Sequence, residues 1–188
     1  PLSYEGGDNF IHYKFAHYAW KFPFLFLDHW GKPLFTILCS PFAQFGFKGA
    51  KLFNVIVAIG TAYLTYRTAL LLKYKQAWLA IIFLCFFPMY FLMFNTVMTE
   101  VLFSFVLILA VFLFIRSDFI AASVIISFLP FARSEGYLFI VFFAYALLVN
   151  KKIKYIPFLV TGFLLFSTIG YFYHYHDFFW VINQNPYN

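Results

Sequence analysis

Long apolar runs alternate with short polar gaps along most of this chain. A helix that crosses a hydrocarbon core needs roughly 20 mostly apolar residues. Four runs approach that length: 52–72, 77–94, 97–115 and 155–173. Two shorter runs, 119–132 and 137–149, lie between the third and the fourth. The pattern therefore predicts about six helical membrane segments over residues 52–188.

Residues 1–51 carry a different pattern, which predicts two amphipathic helices joined by a loop. Asp8 can cap a helix that runs to about Trp20. The apolar side chains of this helix share one face, as suits a helix in the membrane interface: Ile11, Phe15, Tyr18 and Phe22. After a loop at 22–32, Pro33 can open a second short helix that ends near Gly46. Together these helices would form a lid over the membrane-embedded part.

Composition is typical of a polytopic membrane protein. Hydrophobic residues make up 64% of the chain, aromatic residues 26% and charged residues only 11%, far outside the range of soluble domains. The net charge of +6 does not indicate nucleic acid, because the cations are dispersed and form no basic helix face. Without a repeat or a flexible linker, residues 1–188 are expected to form one transmembrane domain. The absence of an initiator methionine leads us to expect a piece of a longer chain.

The charged residues are sorted between two alternating sets of gaps. One set is basic and holds Lys73, Lys75, Arg116, Lys151, Lys152 and Lys154. The other holds all five histidines and every acidic residue except Asp118, namely Glu5, Asp8, Asp28, Glu100, Glu135 and Asp177. Short basic loops of membrane proteins face the cytoplasm. The acidic set is therefore expected at the periplasmic or lumenal face of a bacterial inner membrane or an ER membrane.

The two short runs meet at a charged elbow, Arg133-Ser134-Glu135-Gly136. Pro130 would weaken the helix one turn before it. Interrupted apolar segments are typical of sites at membrane depth, because irregular backbone is tolerated there only where it lines a cavity. The planar fork of Arg133 can bind a phosphate while Glu135 orients it. Alternatively, the pair neutralises nearby charges.

Three other ionisable residues are candidates for chemistry. Asp8 and His12 stand four residues apart, so they share one face of the predicted first helix. That arrangement suits general-base chemistry, although a capping aspartate beside an interfacial histidine explains it equally well. Glu100 lies near the outer end of the third long run, where a carboxylate is costly unless it faces a cavity or a partner.

Six consecutive residues, 28–33, gather an acid, an imidazole, an indole and an ammonium group. The ring of Trp30 can stack on the apolar face of a sugar, and Lys32 can meet a phosphate as a point charge. The segment thus predicts a site for a ring-bearing, anionic substrate. An interfacial Trp-Lys anchor is the competing interpretation, but it leaves Asp28 and His29 unexplained.

The sequence does not favour a metal site. His174 and His176 are two residues apart, which on a helix points them away from each other. A solvated interfacial end therefore explains this pair and the adjacent Asp177 better than metal binding. The chain also lacks a P-loop, a dinucleotide-binding motif and a nucleophile elbow, which counts against ATP-driven transport and soluble-enzyme chemistry.

Taken together, these motifs resemble the GT-C superfamily of polytopic glycosyltransferases, in particular its protein mannosyltransferase and aminoarabinose transferase branches. The similar positions cover almost the whole chain and are, in order, Gly7-Asp8, His29-Trp30-Gly31-Lys32-Pro33-Leu34-Phe35, Pro41-Phe42-Ala43, Phe45-Gly46, Thr99-Glu100-Val101-Leu102-Phe103 and Ala132-Arg133-Ser134-Glu135-Gly136. The chain departs from the pattern at Asn9, because the protein mannosyltransferases have an Asp-Glu pair there. Their acceptor class is therefore not assumed.

The resemblance implies an all-α, GT-C-like bundle with amphipathic helices in the first outer loop and further helices on both sides of these residues. It implies inverting transfer of a sugar from a polyprenyl-phosphate donor to a glycan, lipid or protein acceptor, with Asp8 as the general base. The substrate-binding residues are expected to be His12, Asp28, His29, Trp30, Lys32, Glu100, Arg133 and Glu135. No particular cofactor is implied, and a divalent metal stays an open alternative.

Two other classes of protein fit parts of the pattern. In a transporter or lipid flippase, Glu100, Arg133 and Glu135 would form a gated polar pathway. Such a protein has no evident need for the acid- and aromatic-rich segment from Asp8 to Lys32. A non-catalytic membrane subunit with the same fold is the remaining alternative.

Overall fold

The computed structural model describes residues 7–184, so Glu5 lies outside the described part of the chain. Every regular element in this range is helical, which confirms the all-α prediction. The α-helices are α1 (Gly7–Tyr18), α2 (Pro33–Ala43), α3 (Phe47–Leu71), α4 (Leu79–Phe86), α5 (Pro88–Phe94), α6 (Glu100–Ile115), α7 (Phe119–Ile126), α8 (Leu129–Ala132), α9 (Gly136–Val149), α10 (Thr161–Gly170) and α11 (Trp180–Asn183). Shorter 3-10 or π-helical segments are Pro23–Leu27, Ile153–Val160 and Tyr171–Tyr175.

The N-terminal segment forms the two short helices that the sequence predicted. Asp8 lies in the first turn of α1, and Pro33 is the first residue of α2, where its missing N–H costs no hydrogen bond. Helix α1 packs on α2 and buries a narrow face of small and polar side chains: Asn9, His12 and Ala16. Tyr18 and Phe22 of the predicted apolar stripe are exposed.

Among residues 7–184, two helical segments are long and apolar enough to cross a membrane, Phe47–Leu71 and Ile153–Tyr175. The run 77–94 is not the continuous helix that the sequence predicted. Pro88 cannot continue the hydrogen bonding of α4, and Phe87 before it is extended, with ψ of 115°. The helix over run 97–115 begins only at Glu100. The helix lengths therefore support two of the six predicted membrane segments.

The elbow between the two short runs folds tightly against the preceding helix. As Pro130 predicted, run 119–132 is broken, here into α7 and α8. A Cβ on Gly136 would lie 2.4 Å from the carbonyl carbon of Leu129 and 2.4 Å from the nitrogen of Pro130. Only glycine fits so close to a backbone. The start of α9 is thereby held beside α8, with Arg133 in the connection.

At each of the three basic gaps, the preceding helix ends in the same way. Helices α3, α6 and α9 are each followed by a non-glycine residue with positive φ: Lys73 at 60°, Ser117 at 65° and Lys151 at 58°. Each end is closed by a pair of hydrogen bonds to carbonyls of the last turn, for example Lys73 N–H to Leu70 O (2.9 Å) and Tyr74 N–H to Ala69 O (3.1 Å). This is the Schellman pattern. The nearby cations suit the negative ends of these helix dipoles.

The core is centred on α3 and α6, and α7 joins it to the last apolar segment. At that junction the backbone N–H of Gly162 donates to Ser127 Oγ (2.9 Å). A Cβ on Gly162 would lie 2.3 Å from the carbonyl oxygen of Ser127. The contact is therefore backbone against backbone and leaves no room for a side chain.

Gly162→Ala is expected to lower the free energy of unfolding by about 1–3 kcal/mol, because the added methyl must push two backbones apart. The midpoint of thermal unfolding of the detergent-solubilised full-length protein measures the loss. Gly7→Ala is the control, since nothing lies within 4 Å of a Cβ built there. Equal midpoints for the two variants would contradict the packing described.

Candidate functional site

The loop before α2 is a rigid turn built on Asp28. One carboxylate oxygen of Asp28 accepts hydrogen bonds from the backbone N–H groups of Trp30 (2.8 Å) and Gly31 (3.0 Å). Lys32 follows with φ of 59°, a conformation that non-glycine residues seldom adopt. Strained backbone of this kind concentrates at functional sites. Asp28 thus shapes the turn that presents Trp30 and Lys32.

The side chain of His29 packs against α11. Its ring lies edge-on to the indole of Trp180, with centroids 5.2 Å apart, and its Nε2 atom is buried without a hydrogen-bond partner. Burial lowers the pKa of His29. Asp28 and His29 do not line the cavity that the other predicted residues share, although His29 and Lys32 together line a smaller pocket of about 20 Å³. The turn before α2 is the physical reason. Its backbone N–H groups donate to the Asp28 carboxylate, and it places the His29 ring against Trp180.

The loop before α6 is fixed by two amide side chains from distant parts of the chain. Asn54 of α3 is fully buried, and its Nδ2 donates to the carbonyl oxygens of Thr96 (2.8 Å) and Met98 (2.8 Å). Asn9 of α1 accepts a hydrogen bond from Val97 N–H through Oδ1 (3.0 Å). These bonds hold α1 beside the start of α6. They set Glu100 near the first turn of α1.

Arg133 is clamped between two carboxylates. Its Nε and Nη2 donate to the two carboxylate oxygens of Glu135 at 3.2 and 2.7 Å, and its Nη1 forms an ion pair with Glu100. Next to it, Lys32 Nζ donates to Ser134 Oγ (3.1 Å). The elbow is therefore joined to the Lys32 turn across 102 residues of sequence. Both cations face the same space.

That space is an open cavity of about 480 Å³. Its lining comes from α1, the turn before α2, the start of α6 and the elbow: Asp8, His12, Trp30, Lys32, Met98, Thr99, Glu100, Arg133, Ser134 and Glu135. We call it the charged cavity. Seven of the nine residues singled out from the sequence lie on it, the exceptions being Asp28 and His29.

The protonation of the charged cavity reflects burial and mutual charge. Burial lowers the pKa of His12, although the carboxylates of Glu100 and Asp8 act in the opposite direction. Burial thus favours the uncharged form of its ring, whose buried Nδ1 has no hydrogen-bond partner. Burial, and next the charge of Arg133, lower the pKa of Lys32. The two cations share the cavity with three carboxylates, those of Asp8, Glu100 and Glu135.

Some residues of the site were not found from the sequence. Ser134, Thr99 and Met98 line the charged cavity, and Asn9 and Asn54 position its walls. Ser134 and Thr99 lie next to predicted residues, so proximity in sequence was an available signal. A buried asparagine in the middle of an apolar helix, as at position 54, was another such signal, because an amide there must find partners.

The end of the last apolar segment is held by local contacts. His174 stacks on Phe24, with centroids 5.6 Å apart. Asp177 accepts hydrogen bonds from Phe179 N–H (2.8 Å) and Asn183 Nδ2 (2.7 Å). Over residues 7–184 no three His, Cys, Asp or Glu side chains are grouped so as to hold a metal ion.

The described chain is thus an all-helical protein with two segments able to cross a membrane and a charged cavity between its N-terminal helices and the elbow. Comparisons with protein-family models, curated proteins and solved structures find no match to this chain.

Asn54→Asp is expected to unfold or strongly destabilise the protein, because a carboxylate oxygen would replace the donor that faces two carbonyl oxygens. An unsatisfied buried polar group costs about 1–3 kcal/mol, and a charged one more. Asn150→Asp is the matched control, since its Nδ2 also donates to a carbonyl, Ala146 O (2.8 Å), but is exposed. Thermal unfolding in detergent compares the two. Similar midpoints would show that the loop before α6 does not depend on Asn54.

Proposed function

We propose that this chain is the membrane domain of a glycosyltransferase that moves a sugar from a polyprenyl-phosphate donor to an acceptor. The observation that carries the proposal is the charged cavity. There, three carboxylates, a histidine and two cations come together from four separate parts of the sequence: α1, the turn before α2, the start of α6 and the elbow. The bundle is proposed to cross the membrane several times, with this cavity at its periplasmic or lumenal face.

The cationic wall suits the phosphate of the donor. Lys32 is held in a strained turn and by Ser134, and Arg133 is fixed by Glu135 and Glu100. Groups fixed in advance stabilise developing charge without reorganising at the moment of reaction. As the sugar leaves, charge builds on the bridging phosphate oxygen. Lys32 and Arg133 would stabilise it there.

The acidic wall suits the acceptor. Asp8 is exposed on the first turn of α1, where an acceptor can reach it, and His12 lies one turn later on the same cavity. The acceptor oxygen forms a bond to the anomeric carbon while the bond from that carbon to the phosphate oxygen breaks. The acceptor proton passes to Asp8, and the electron pair of the broken bond leaves with the lipid phosphate. A positioned base of this kind contributes a rate factor of about 10²–10⁴.

Asn9, where this chain departs from the mannosyltransferase pattern, has a structural role. Asn9 occupies the position of the glutamate in the Asp-Glu pair, and here its side chain accepts from Val97 N–H and is buried against the loop before α6. In this chain the position holds α1 in place. That supports an acceptor other than the one used by the mannosyltransferases.

The proposal is tested with the purified full-length protein in liposomes that contain one polyprenyl-phosphate sugar at a time, drawn from a panel of hexoses, pentoses and amino sugars, with membrane extract as the acceptor source. Release of polyprenyl phosphate together with sugar transfer is the expected result. Movement of a fluorescent polyprenyl-phosphate sugar across the bilayer without any release would support the transporter alternative and overturn the proposal.

A further inference from the structure

A second cavity adjoins the charged cavity. Its volume is about 300 Å³, and Asp8 and Met98 line both spaces. The rest of its wall is mainly one face of α5 and the loop before α6: Met89, Leu92, Met93 and Thr96. All three methionines of the chain lie on it. We call it the methionine cavity.

The lining of the methionine cavity differs in chemistry from that of the charged cavity. Among the described residues that line it there is no lysine, arginine or histidine, and Asp8 is the single charged group. An anionic phosphate would meet only a carboxylate there, so the donor headgroup belongs in the charged cavity. Methionine side chains are flexible and polarisable and adapt to varied apolar ligands. The methionine cavity therefore suits an uncharged, apolar molecule.

The surroundings of α5 point to the same class of molecule. Within the described chain, α4 and α5 bury none of their residues, although their surfaces are large apolar side chains such as Phe83 (71% exposed), Phe86 (77%) and Met89 (56%). An exposed apolar surface of this extent marks contact with a membrane or a partner. In the proposed membrane domain it is lipid-facing. Met89 belongs to this surface and also lines the methionine cavity, so one wall of the cavity continues into the lipid-facing surface.

We infer that the methionine cavity receives the acceptor, and that the acceptor is a lipid bearing a hydroxyl or amine. This inference rests on the proposed function, since it takes Asp8 as the base. A base must lie within hydrogen-bond reach of the acceptor group, and Asp8 lines both the methionine cavity and the charged cavity. The acceptor reaches Asp8 from the apolar side, and the sugar phosphate reaches it from the cationic side. The attacking oxygen or nitrogen gives its proton to Asp8 as it bonds to the anomeric carbon, and the lipid phosphate departs with the electron pair.

The test measures two probes on the full-length protein in liposomes. Occupation of the methionine cavity is measured with a hexadecanol that carries a photoreactive diazirine in its chain, by cross-linking and peptide mapping. Occupation of the charged cavity is measured by the binding of radiolabelled undecaprenyl phosphate. Met93→Gln keeps the side-chain length but adds an amide, whose burial against an alkyl chain is unfavourable. It is expected to lower cross-linking to α5 by about tenfold and to leave undecaprenyl phosphate binding unchanged. Lys32→Gln is expected to weaken undecaprenyl phosphate binding and to leave cross-linking to α5 unchanged.

Leu138→Gln is the control for adding an amide to an exposed apolar surface, because Leu138 lies on α9, 56% exposed and outside both cavities. It should change neither probe. If Met93→Gln weakens undecaprenyl phosphate binding, the cavity holds the donor tail and the acceptor inference is overturned. Unchanged cross-linking in Met93→Gln overturns it as well. If Lys32→Gln and Arg133→Gln both leave undecaprenyl phosphate binding intact, the proposed function itself fails, whatever the alcohol probe shows.

Discussion

Asp8→Asn is expected to reduce sugar transfer by a factor of about 10²–10⁴, the usual contribution of a positioned general base. The amide is nearly the same size as the carboxylate but cannot take the acceptor proton. Asp8 lies exposed in the first turn of α1 and at the junction of two cavities, so the variant should fold normally. The initial rate of transfer in liposomes, with whichever polyprenyl-phosphate sugar the wild type uses, is the measurement.

Asp118→Asn is the matched control for this change. Asp118 caps α7 by accepting a hydrogen bond from Ala121 N–H (3.2 Å), and asparagine caps a helix about as well as aspartate. The control should therefore transfer sugar at the wild-type rate. Binding of undecaprenyl phosphate should be retained in both variants, because it depends on the cationic wall. If Asp8→Asn transfers sugar within about twofold of the wild type, Asp8 is not the base.

Arg133→Gln is expected to lower transfer by a factor of about 10²–10³, as the loss of a fixed electrostatic group at a reacting centre does. The variant also leaves Glu100 and Glu135 without the guanidinium that both contact. Their uncompensated charge would then repel the donor phosphate. Both the rate and the binding of undecaprenyl phosphate should therefore fall, which separates this variant from Asp8→Asn.

Arg133→Lys distinguishes the fork of the guanidinium from its charge. A lysine keeps the charge but cannot make the bidentate bond to Glu135 while it also reaches Glu100, so intermediate activity is expected. Arg116→Gln is the control, since Arg116 lies over the ring of Phe112 at the far end of α6 (5.6 Å). Should Arg133→Gln bind undecaprenyl phosphate as the wild type does, the assignment of the cationic wall to the donor phosphate is wrong.

The elements of this fold were largely readable from local patterns, and the errors have local causes. Apolar runs and polar gaps predicted the helices, and Pro33 and Pro130 marked a start and a break that the structure has. The run 77–94 was read as one helix although Pro88 stands inside it. Proline removes a backbone donor and restricts the residue before it, and these effects outweigh a favourable hydropathy.

The site was predicted less completely, because neighbours in space are set by packing. Asp28 and His29 lie in one segment with Trp30 and Lys32. An Asx-type turn nevertheless draws Asp28 into hydrogen bonds with the backbone and packs the half-buried His29 beside Trp180. Nothing in the order of residues indicates which side chain of a turn faces inward. That depends on the elements packed against the turn.

The sequence by itself determined that the chain is helical and strongly apolar, and that its histidines and all its acidic residues except Asp118 fall in one alternating set of gaps. Helix formation and hydropathy depend on residues near one another, so both could be read locally. Tertiary structure alone decided that α1, the Lys32 turn, the start of α6 and the elbow share one cavity, and that Asp8 stands between it and a second, apolar one. The hydrogen bonds of Asn9, Asn54 and Lys32 that close those distances join residues between 42 and 102 positions apart. Such contacts form only when the whole bundle packs.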